Sequence, residues 1–312
     1  MAQTSVQAPP RTPGGATANF PYTPRKRGPL HWIRRHLLEI VMVTPLFLYI
    51  LYFMFIPVAQ SIYYSFVHAG AHSFTLDNYR TIIGRSQFNA AFTNTLGMTL
   101  MGVTMEMVIG ISISLMLVRA FRGRGIFRTI VLLPLGIPTI VSGAAMLYFI
   151  GFNGYLNKIL LELHIIDVPI YWQQSGWRGM LSIALADVWK SLPLVVLILV
   201  AGLEGIPEDV YEAASLDGAN GWHRFVDQTL PLLMPSITMA LILRAIDAFR
   251  IFDIAMVLAG QSVPVMSTFV YTEYANQNVN TAAAAAVILL LMIIVFVLAY
   301  FFLVERRSEV ER

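Results

Sequence analysis

The sequence predicts an all-α polytopic membrane protein with six transmembrane helices, and two observations lead to this fold class. Hydrophobic residues make up 57% of the 312 residues and charged residues only 12%, whereas soluble domains carry about a quarter charged residues. In addition, six apolar segments reach the roughly 20 residues that a helix needs to cross a bilayer. These segments lie at about 38–66, 89–118, 126–150, 179–203, 233–258 and 282–304.

Residues 1–29 are predicted to form a disordered cytoplasmic tail, and residues 30–312 a single six-span domain. The tail is rich in Pro, Gly, Thr and Ala, and chains with so few large apolar residues cannot bury a core. A basic segment then precedes the first apolar run. That run is too long for the apolar part of a signal peptide, and no small-residue cleavage site follows it. It is therefore interpreted as the first span.

The placement of lysine and arginine predicts the orientation of the spans. With six spans both termini lie on one side, and that side collects most of the basic residues outside the spans. They are Arg11, Arg25, Lys26, Arg27, Arg34, Arg35, Arg119, Arg122, Arg124, Arg128, Arg224, Arg306, Arg307 and Arg312. The positive-inside rule places this side in the cytoplasm. Because the basic residues flank spans rather than forming one surface, membrane lipid is an expected partner and nucleic acid is not.

The most polar run between two apolar segments is residues 206–231, here called the 206–231 loop, which reads IPEDVYEAASLDGANGWHRFVDQTLP. Pro207 suits the first position of a helix. Glu208 and Asp209 follow in the first turn, where negative charge is favoured. Gly218 and Gly221 offer the backbone freedom of a sharp corner. We expect two short helices joined by a glycine turn, docked onto a cytoplasmic partner because the run is too polar for lipid.

The 206–231 loop resembles the EAA loop of permease subunits of bacterial ATP-binding-cassette (ABC) importers. That pattern is Glu-Ala-Ala, three residues, Gly, nine residues, then Ile-x-Leu-Pro. The matching residues are Glu212, Ala213, Ala214, Gly218, Leu230 and Pro231, with Gln228 in place of the usual isoleucine. The resemblance implies the fold of a type I importer permease. It also implies a coupling helix that contacts an ATPase through Glu212, Ala213, Ala214, Asp217 and Gly218, whereas the residues alone also allow an ordinary amphipathic loop.

The same resemblance implies the partners and the energy source. Two homologous permease subunits form the pathway by alternating access, a dimeric ABC ATPase binds them from the cytoplasm, and an extracytoplasmic binding protein delivers the solute. The chain contains no Gly-Lys pair and hence no P-loop. We therefore expect a transport subunit without ATPase activity of its own. It would bind no cofactor, since ATP and Mg²⁺ would be bound by the partner ATPase subunits.

The residues predict neither a catalytic nor a metal site. The absence of cysteine removes thiolate ligands and cysteine nucleophiles. His68 and His72 are four residues apart, but no third ligand is evident. No nucleophile-base pair has a recognisable spacing, which argues against a membrane enzyme. An ion-coupled secondary transporter could use buried charges as a proton relay, but it would leave the 206–231 loop unexplained.

Ionisable residues inside the spans are the candidates for function. They are Glu106, Lys190, Arg244, Asp247, Arg250 and Asp253. Each costs about 2.5–3.5 kcal/mol at the bilayer centre on insertion scales, so it should face protein or water. The gaps of three in span five permit Arg–Asp pairing along one helix. Two interpretations stay open: the pairs hold spans together, or part of this charged band lines a solute pathway.

Two further segments resemble sugar permeases. Residues 189–193, WKSLP, are similar to the Trp-x-x-x-Pro segment of maltose-type permeases, which implies solute contacts at Lys190, Ser191 and Leu194. The matching stretch of span five implies contacts at Arg244, Asp247, Ala248 and Ile251. The run RAIDAFRIFD, residues 244–253, resembles trehalose- and α-glucoside-type permeases. Together they imply a disaccharide or α-glucoside such as trehalose or maltose. A glycerol phosphate bound by arginine is the alternative.

Overall fold

A computed structural model describes the backbone of residues 36–68 and 70–310, so the predicted disordered tail lies outside the described residues. By its internal contacts the chain divides into two units, Met1–Pro57 and Val58–Arg312. The helices are α1 Leu37–Ile50, α2 Ile56–Ser65, α3 Asp77–Ile83, α4 Ser86–Val118, α5 Arg124–Leu132, α6 Thr139–Ile150, α7 Tyr155–Glu162, α8 Trp177–Glu204, α9 Glu208–Leu216, α10 Gly221–His223, α11 Leu230–Phe249, α12 Asp253–Leu258, α13 Met266–Ala275 and α14 Val279–Val310. The strands β1 Val67–His68 and β2 Ala71–Phe74 pair as one antiparallel hairpin.

The prediction of an all-α protein with six spans is confirmed. Within the described residues, six helical stretches are long and apolar enough to cross a membrane. They are Leu37–Ser65, Ser86–Val118, Thr139–Glu162, Trp177–Glu204, Gly221–Phe249 and Val279–Phe302, here called spans one to six.

The described part of the first unit exposes large apolar side chains along most of its length. Neither α1 nor the π-helical turn Leu51–Phe55 that follows it contains a buried residue. Leu38 and Met42 are 75% and 73% exposed. Such a surface requires lipid or another apolar helix to cover it.

Spans two and four form the centre of the second unit and pack along each other. A Cβ atom added at Gly110 of span two would lie 2.7 Å from Cγ1 of Val195 in span four. Small residues allow membrane helices to approach this closely. Buried apolar side chains of span five, among them Leu233 and Ile237, complete the core against Val103 and Leu199.

Span three departs from the sequence prediction of one helix over 126–150. The structure has α5, then a 3₁₀ turn at Leu133–Gly136, and α6 begins only at Thr139. Pro134 lies in the 3₁₀ turn, and Pro138 immediately precedes α6. Proline lacks the N–H that a helix needs and clashes with the carbonyl four residues earlier. The apolar stretch that crosses is therefore shifted to Thr139–Glu162.

Span five is also displaced from its predicted range of 233–258. It begins at Gly221 and ends at Phe249, and α12 then starts anew at Asp253. The non-helical Ile251 between them has its carbonyl oxygen bonded by the Ser267 hydroxyl. Asp253 is therefore the first residue of a separate short helix and not part of span five, which corrects the predicted continuous band of charge.

Candidate functional site

The 206–231 loop begins with a helix whose start and end are both defined by local chemistry. Pro207 is extended, with φ −60° and ψ 140°, and immediately precedes α9, so it caps the helix instead of occupying the predicted first helical position. Glu208 and Asp209 lie in the first turn, where they stabilise the exposed N–H groups of the helix end.

Gly218 makes the corner at the end of α9. Its φ is +79°, a left-handed conformation in which a residue with a Cβ atom is strained. The Gly218 N–H donates to the Ser215 carbonyl at 3.2 Å, and the Ala219 N–H donates to the Ala214 carbonyl at 3.0 Å. This pair of bonds is the Schellman arrangement that closes a helix. The prediction of a glycine turn is therefore confirmed at Gly218.

The second half of the loop differs from the prediction of a short separate helix. Gly221 does not have a positive φ and starts α10, where the Asn220 side chain accepts from the His223 N–H at 3.0 Å. The chain then passes through a π-helical turn, Arg224–Thr229, directly into α11. Pro231 has no N–H to continue an α-helical ladder, and a π turn before it accommodates that gap.

The residues predicted to couple to an ATPase lie together on α9 and its end. Glu212, Ala213, Asp217 and Gly218 are exposed, whereas Ala214 is buried against the subunit. Beside them are two exposed apolar side chains that are not among the predicted coupling residues. Leu216 is 90% exposed and Trp222 is 70% exposed. The sequence signal for both residues is a large apolar side chain within an otherwise polar run.

A buried ionic cluster, here called the charged centre, joins spans two, four and five. Arg244 Nε donates to Glu106 Oε2 at 2.8 Å, and Arg244 Nη2 donates to Asp187 Oδ2 at 2.9 Å. The side chains of Arg244, Glu106 and Asp187 are 3%, 0% and 11% exposed. A buried charge of this kind is stable only when it is paired and hydrogen-bonded.

The charged centre includes a residue that sequence reasoning missed. Asp187 was not among the ionisable candidates, although it lies two residues before Trp189 in a predicted span. Lys190 was selected because it is an ionisable residue inside an apolar span, and the same criterion selects Asp187. The predicted pairing within span five is only partly confirmed. Arg250 Nη2 contacts Asp247 Oδ1 at 2.8 Å, whereas the Arg244–Asp247 contact is 3.7 Å.

Lys190, predicted as a solute contact, has a structural partner. Its Nζ donates to the carbonyl oxygens of Pro134 at 2.9 Å and Leu135 at 3.2 Å. Both carbonyls belong to the 3₁₀ turn that interrupts the helix before span three, where the missing N–H of Pro138 leaves an acceptor to be satisfied. The ammonium group thus holds span four against this turn.

The remaining predicted pathway residues lie at different depths. Ser191 and Leu194 are half-buried in span four. Ala248 and Ile251 are buried, with 1% and 7% of their surfaces exposed, whereas the Asp247 side chain is 47% exposed. Within this subunit the seven positions do not form one open surface, and their role in a pathway stays a prediction.

The described residues form no candidate metal site. No group of three or more His, Asp or Glu side chains among them is placed so that it could hold a metal ion. His68 is exposed in strand β1, and the side chain of His72 lies outside the described part of the chain. In that part, the geometry offers an exposed helix in the 206–231 loop and buried ion pairs.

Comparison with known proteins identifies the family and the fold. The model of the family "binding-protein-dependent transport system inner membrane component" matches residues 106–309. The chain is 37% identical over 227 residues to the trehalose/maltose transport system permease protein MalF of Thermococcus litoralis, covering 70% of this chain and 76% of that protein. It is 39% identical over 188 residues to the trehalose transport system permease protein SugA of Mycobacterium tuberculosis, covering 60% and 59%.

A solved structure shares the architecture. It is that of a bacterial alginate ABC transporter in complex with alginate pentasaccharide-bound periplasmic protein. One of its chains matches with a TM-score of 0.78 and 22% identity, over 89% of this chain and 97% of that chain. At this identity the likeness establishes the fold alone.

Proposed function

The chain belongs to the family of binding-protein-dependent transport system inner membrane components, and we propose that it forms half of the pathway of an ATP-driven carbohydrate importer. It is a multi-pass inner membrane component, as its predicted permease fold required. The observation that carries the proposal is the 206–231 loop, an exposed helix closed by Gly218 and held between two spans.

The solute in this proposal is a disaccharide or α-glucoside, with trehalose or maltose preferred. Two relatives that cover more than half of the chain are named for trehalose or for trehalose and maltose. The exposed pair Asp247–Arg250 offers an acceptor beside a donor, which suits sugar hydroxyls because these both accept and donate hydrogen bonds.

The energy comes from a partner in this proposal. The 312 residues contain no Gly-Lys pair, so ATP and Mg²⁺ are bound by a dimeric ABC ATPase. The α9 helix docks into that ATPase, with Glu212, Ala213 and Asp217 at its surface and the exposed Leu216 as an apolar anchor. A second permease subunit completes the pathway, and a binding protein delivers the solute from outside.

The orientation follows from the same proposal. Both termini and the 206–231 loop lie in the cytoplasm, because the exposed arginines Arg119, Arg122 and Arg128 are on the side of that loop. The positive-inside rule favours this arrangement, and it presents α9 to a cytoplasmic ATPase.

The pathway in this proposal runs beside span five, and the different exposure of the predicted residues supports different roles for them. Asp247 is the most accessible of the seven positions, and Ser191 and Leu194 are half-buried. Arg244, Lys190, Ala248 and Ile251 are occupied by contacts within the subunit. In this proposal these four residues stabilise the packing of the spans that border the pathway and do not contact the solute in the conformation described.

Reconstitution tests the proposal. The chain is placed in liposomes alone or with its second permease, ATPase and binding protein, and uptake is measured with ATP inside. We expect no uptake by the chain alone and uptake of an α-linked disaccharide by the assembly. The panel includes monosaccharides, glycerol phosphates and amino acids. Uptake by the isolated chain would contradict the subunit role, and a response confined to a phosphorylated solute or an amino acid would contradict the carbohydrate.

A further inference from the structure

A cavity beside α9 has no part in the proposed docking to an ATPase. It lies between α9, the π-helical turn Arg224–Thr229 and the ends of spans two and four. Its volume is about 750 Å³, which falls within the roughly 300–1,000 Å³ of cavities that bind small molecules. The described residues that line it do not include any of the predicted coupling residues. The cavity is therefore a feature of the 206–231 loop that still lacks a role.

Charged groups of both signs line the cavity. Arg119, directly after span two, and Arg224, in the π-helical turn, supply guanidinium groups, and Glu204 and Glu208 supply carboxylates. Three of these four residues are exposed, and Arg224 is half-buried. Among the described residues the ion pair that they form is that of Glu204 with Arg124, at 3.4 Å. The cavity thus offers accessible donors and acceptors that are not paired with one another.

Two aromatic side chains, Tyr211 and Phe225, also line the cavity, and both are half-buried. The Thr229 hydroxyl donates to the Tyr211 hydroxyl at 3.4 Å, and Arg224 Nη1 donates to the Ser215 hydroxyl at 3.2 Å. These bonds hold one ring and one guanidinium group in place before any ligand binds. Preformed walls of aromatic rings with a few placed polar groups are typical of sites for small molecules.

The balance of charge favours an uncharged ligand with many hydrogen-bonding groups. Two cations and two anions line one space, so a phosphate attracted by the arginines is also repelled by the glutamates. A sugar hydroxyl donates to a carboxylate and accepts from a guanidinium group, so a polyhydroxylated molecule satisfies both sets. A free amino acid carries both charges, but it leaves most of a cavity of about 750 Å³ unfilled.

We propose that this cavity is a second sugar site, which binds an uncharged disaccharide from the cytoplasm. The proposal rests on the proposed function, because import supplies the disaccharide on this side of the membrane. The bound sugar contacts α9 and the ends of spans two and four at the same time. A ligand shifts a conformational equilibrium toward the state that it binds. Accumulated sugar therefore favours the conformation described here and slows the transport cycle.

Photolabelling tests the site directly. The complete complex is irradiated with a photoreactive trehalose, and labelled peptides of this chain are identified by mass spectrometry. We expect a label within residues 203–229 that excess trehalose removes and that glycerol 3-phosphate or glycine does not remove. Labels in spans four and five would report the pathway and are counted separately. Photolabelling does not require uptake, so it tests the cavity whichever solute the complex transports.

Matched double variants keep the net charge constant. Arg119→Ala combined with Glu208→Ala removes one cation and one anion from the cavity. It should raise the trehalose concentration that gives half-maximal labelling at least about tenfold, since a hydrogen bond to a charged group contributes that much or more. Arg122→Ala combined with Asp209→Ala removes the same charges from exposed positions nearby that do not line the cavity. This control should label like the natural chain.

Transport measures the consequence of binding. Proteoliposomes with ATP inside are prepared with and without internal trehalose, and the initial rates of uptake of labelled disaccharide are compared. Internal trehalose should lower the rate of the natural complex and of the Arg122→Ala, Asp209→Ala control. In the Arg119→Ala, Glu208→Ala variant the ratio of the two rates should return to one.

Three results would overturn the proposal. The first is the absence of a label within residues 203–229, or equal labelling of the natural chain and the Arg119→Ala, Glu208→Ala variant. The second is equal inhibition of both by internal trehalose, which would locate the inhibition in the pathway. The third is loss of the copurified ATPase from this variant, which would assign the cavity to a protein contact. Normal disaccharide uptake with no label there contradicts only this inference, whereas a labelled cavity in a complex that imports no disaccharide contradicts only the proposed solute.

Discussion

The 206–231 loop and the charged centre place polar side chains in opposite settings. In the loop the contacts are local, such as the bonds that close α9 at Gly218, and Leu216 is left 90% exposed. In the charged centre Arg244 is 3% exposed and contacts Glu106 and Asp187, which lie 138 and 57 residues away in the chain. The loop presents its residues outward, whereas the centre uses them to hold three spans together.

The last turns of span five and the residue that follows it repeat this contrast. Arg244 is surrounded by carboxylates from other spans. Arg250, six residues later, is 61% exposed, and among the described residues its side chain forms an ion pair only with Asp247. Removing one partner of a buried ion pair costs about 3–5 kcal/mol, whereas an exposed pair contributes about 0.2–1 kcal/mol. Similar residues on one segment should therefore have very different effects when they are changed.

The largest expected effect is that of Arg244→Met. This change leaves Glu106 and Asp187 buried without their cation, and we expect a loss of about 3–5 kcal/mol in the free energy of unfolding. The measurement is detergent-induced unfolding of the purified complex. Arg250→Gln is the matched control and should cost less than about 1 kcal/mol. If the two variants unfold alike, the charged centre does not hold the spans together.

Arg244→Lys should have an intermediate effect. Lysine keeps the charge but is a point donor without the planar fork that reaches Glu106 and Asp187 at once. Losing one charge-assisted hydrogen bond costs about 1.5–3 kcal/mol. The same unfolding assay checks this, and a lysine variant as stable as the natural chain would show that charge alone is sufficient.

Gly218→Ala should lower stability by only about 1–2 kcal/mol, because alanine is strained in the left-handed conformation. Its effect should appear in function, where a displaced α9 end reduces solute-stimulated ATP hydrolysis and uptake in the assembled complex. Gly218→Pro should abolish both, since proline cannot adopt a positive φ such as that of Gly218.

The matched control for this corner is Gly221→Ala. Gly221 has no positive φ, and the space that a Cβ atom would occupy there is open, so alanine should be tolerated. Normal ATPase stimulation by the Gly218→Pro complex would show that the corner has no part in coupling.

The smallest expected change in stability is that of Asp247→Asn, below about 1 kcal/mol because the carboxylate is 47% exposed and Arg244 retains two other partners. We nevertheless expect uptake to fall, since Asp247 is the most accessible of the predicted pathway residues. Uptake and unfolding are measured on the same preparation. If assembly and transport fall together, Asp247 stabilises the packing of the helices and does not contact the solute.

The sequence by itself determined the features that depend on neighbours along the chain. Composition and the length of apolar runs predicted six spans because about 20 consecutive apolar residues form a helix long enough to cross the hydrocarbon core of a bilayer. Pro207, the acidic first turn at Glu208 and Asp209, and Gly218 predicted a helix and its glycine end, since capping chemistry acts within a few residues. The second helix of the loop was predicted less well because nothing local indicates that Arg224–Thr229 continues into span five.

Only the tertiary structure decided which charges meet. Helical periodicity places Arg244 on a face of span five, but it does not say which other helix that face contacts. The sequence therefore suggested Asp247 as its partner, whereas Glu106 and Asp187 are closer. The hydrogen bond from Lys190 to the Pro134 carbonyl before span three also joins residues far apart in the chain, so the sequence did not predict it. In low dielectric a buried charge must find a partner, and only the packing of distant spans determines which partner is within reach.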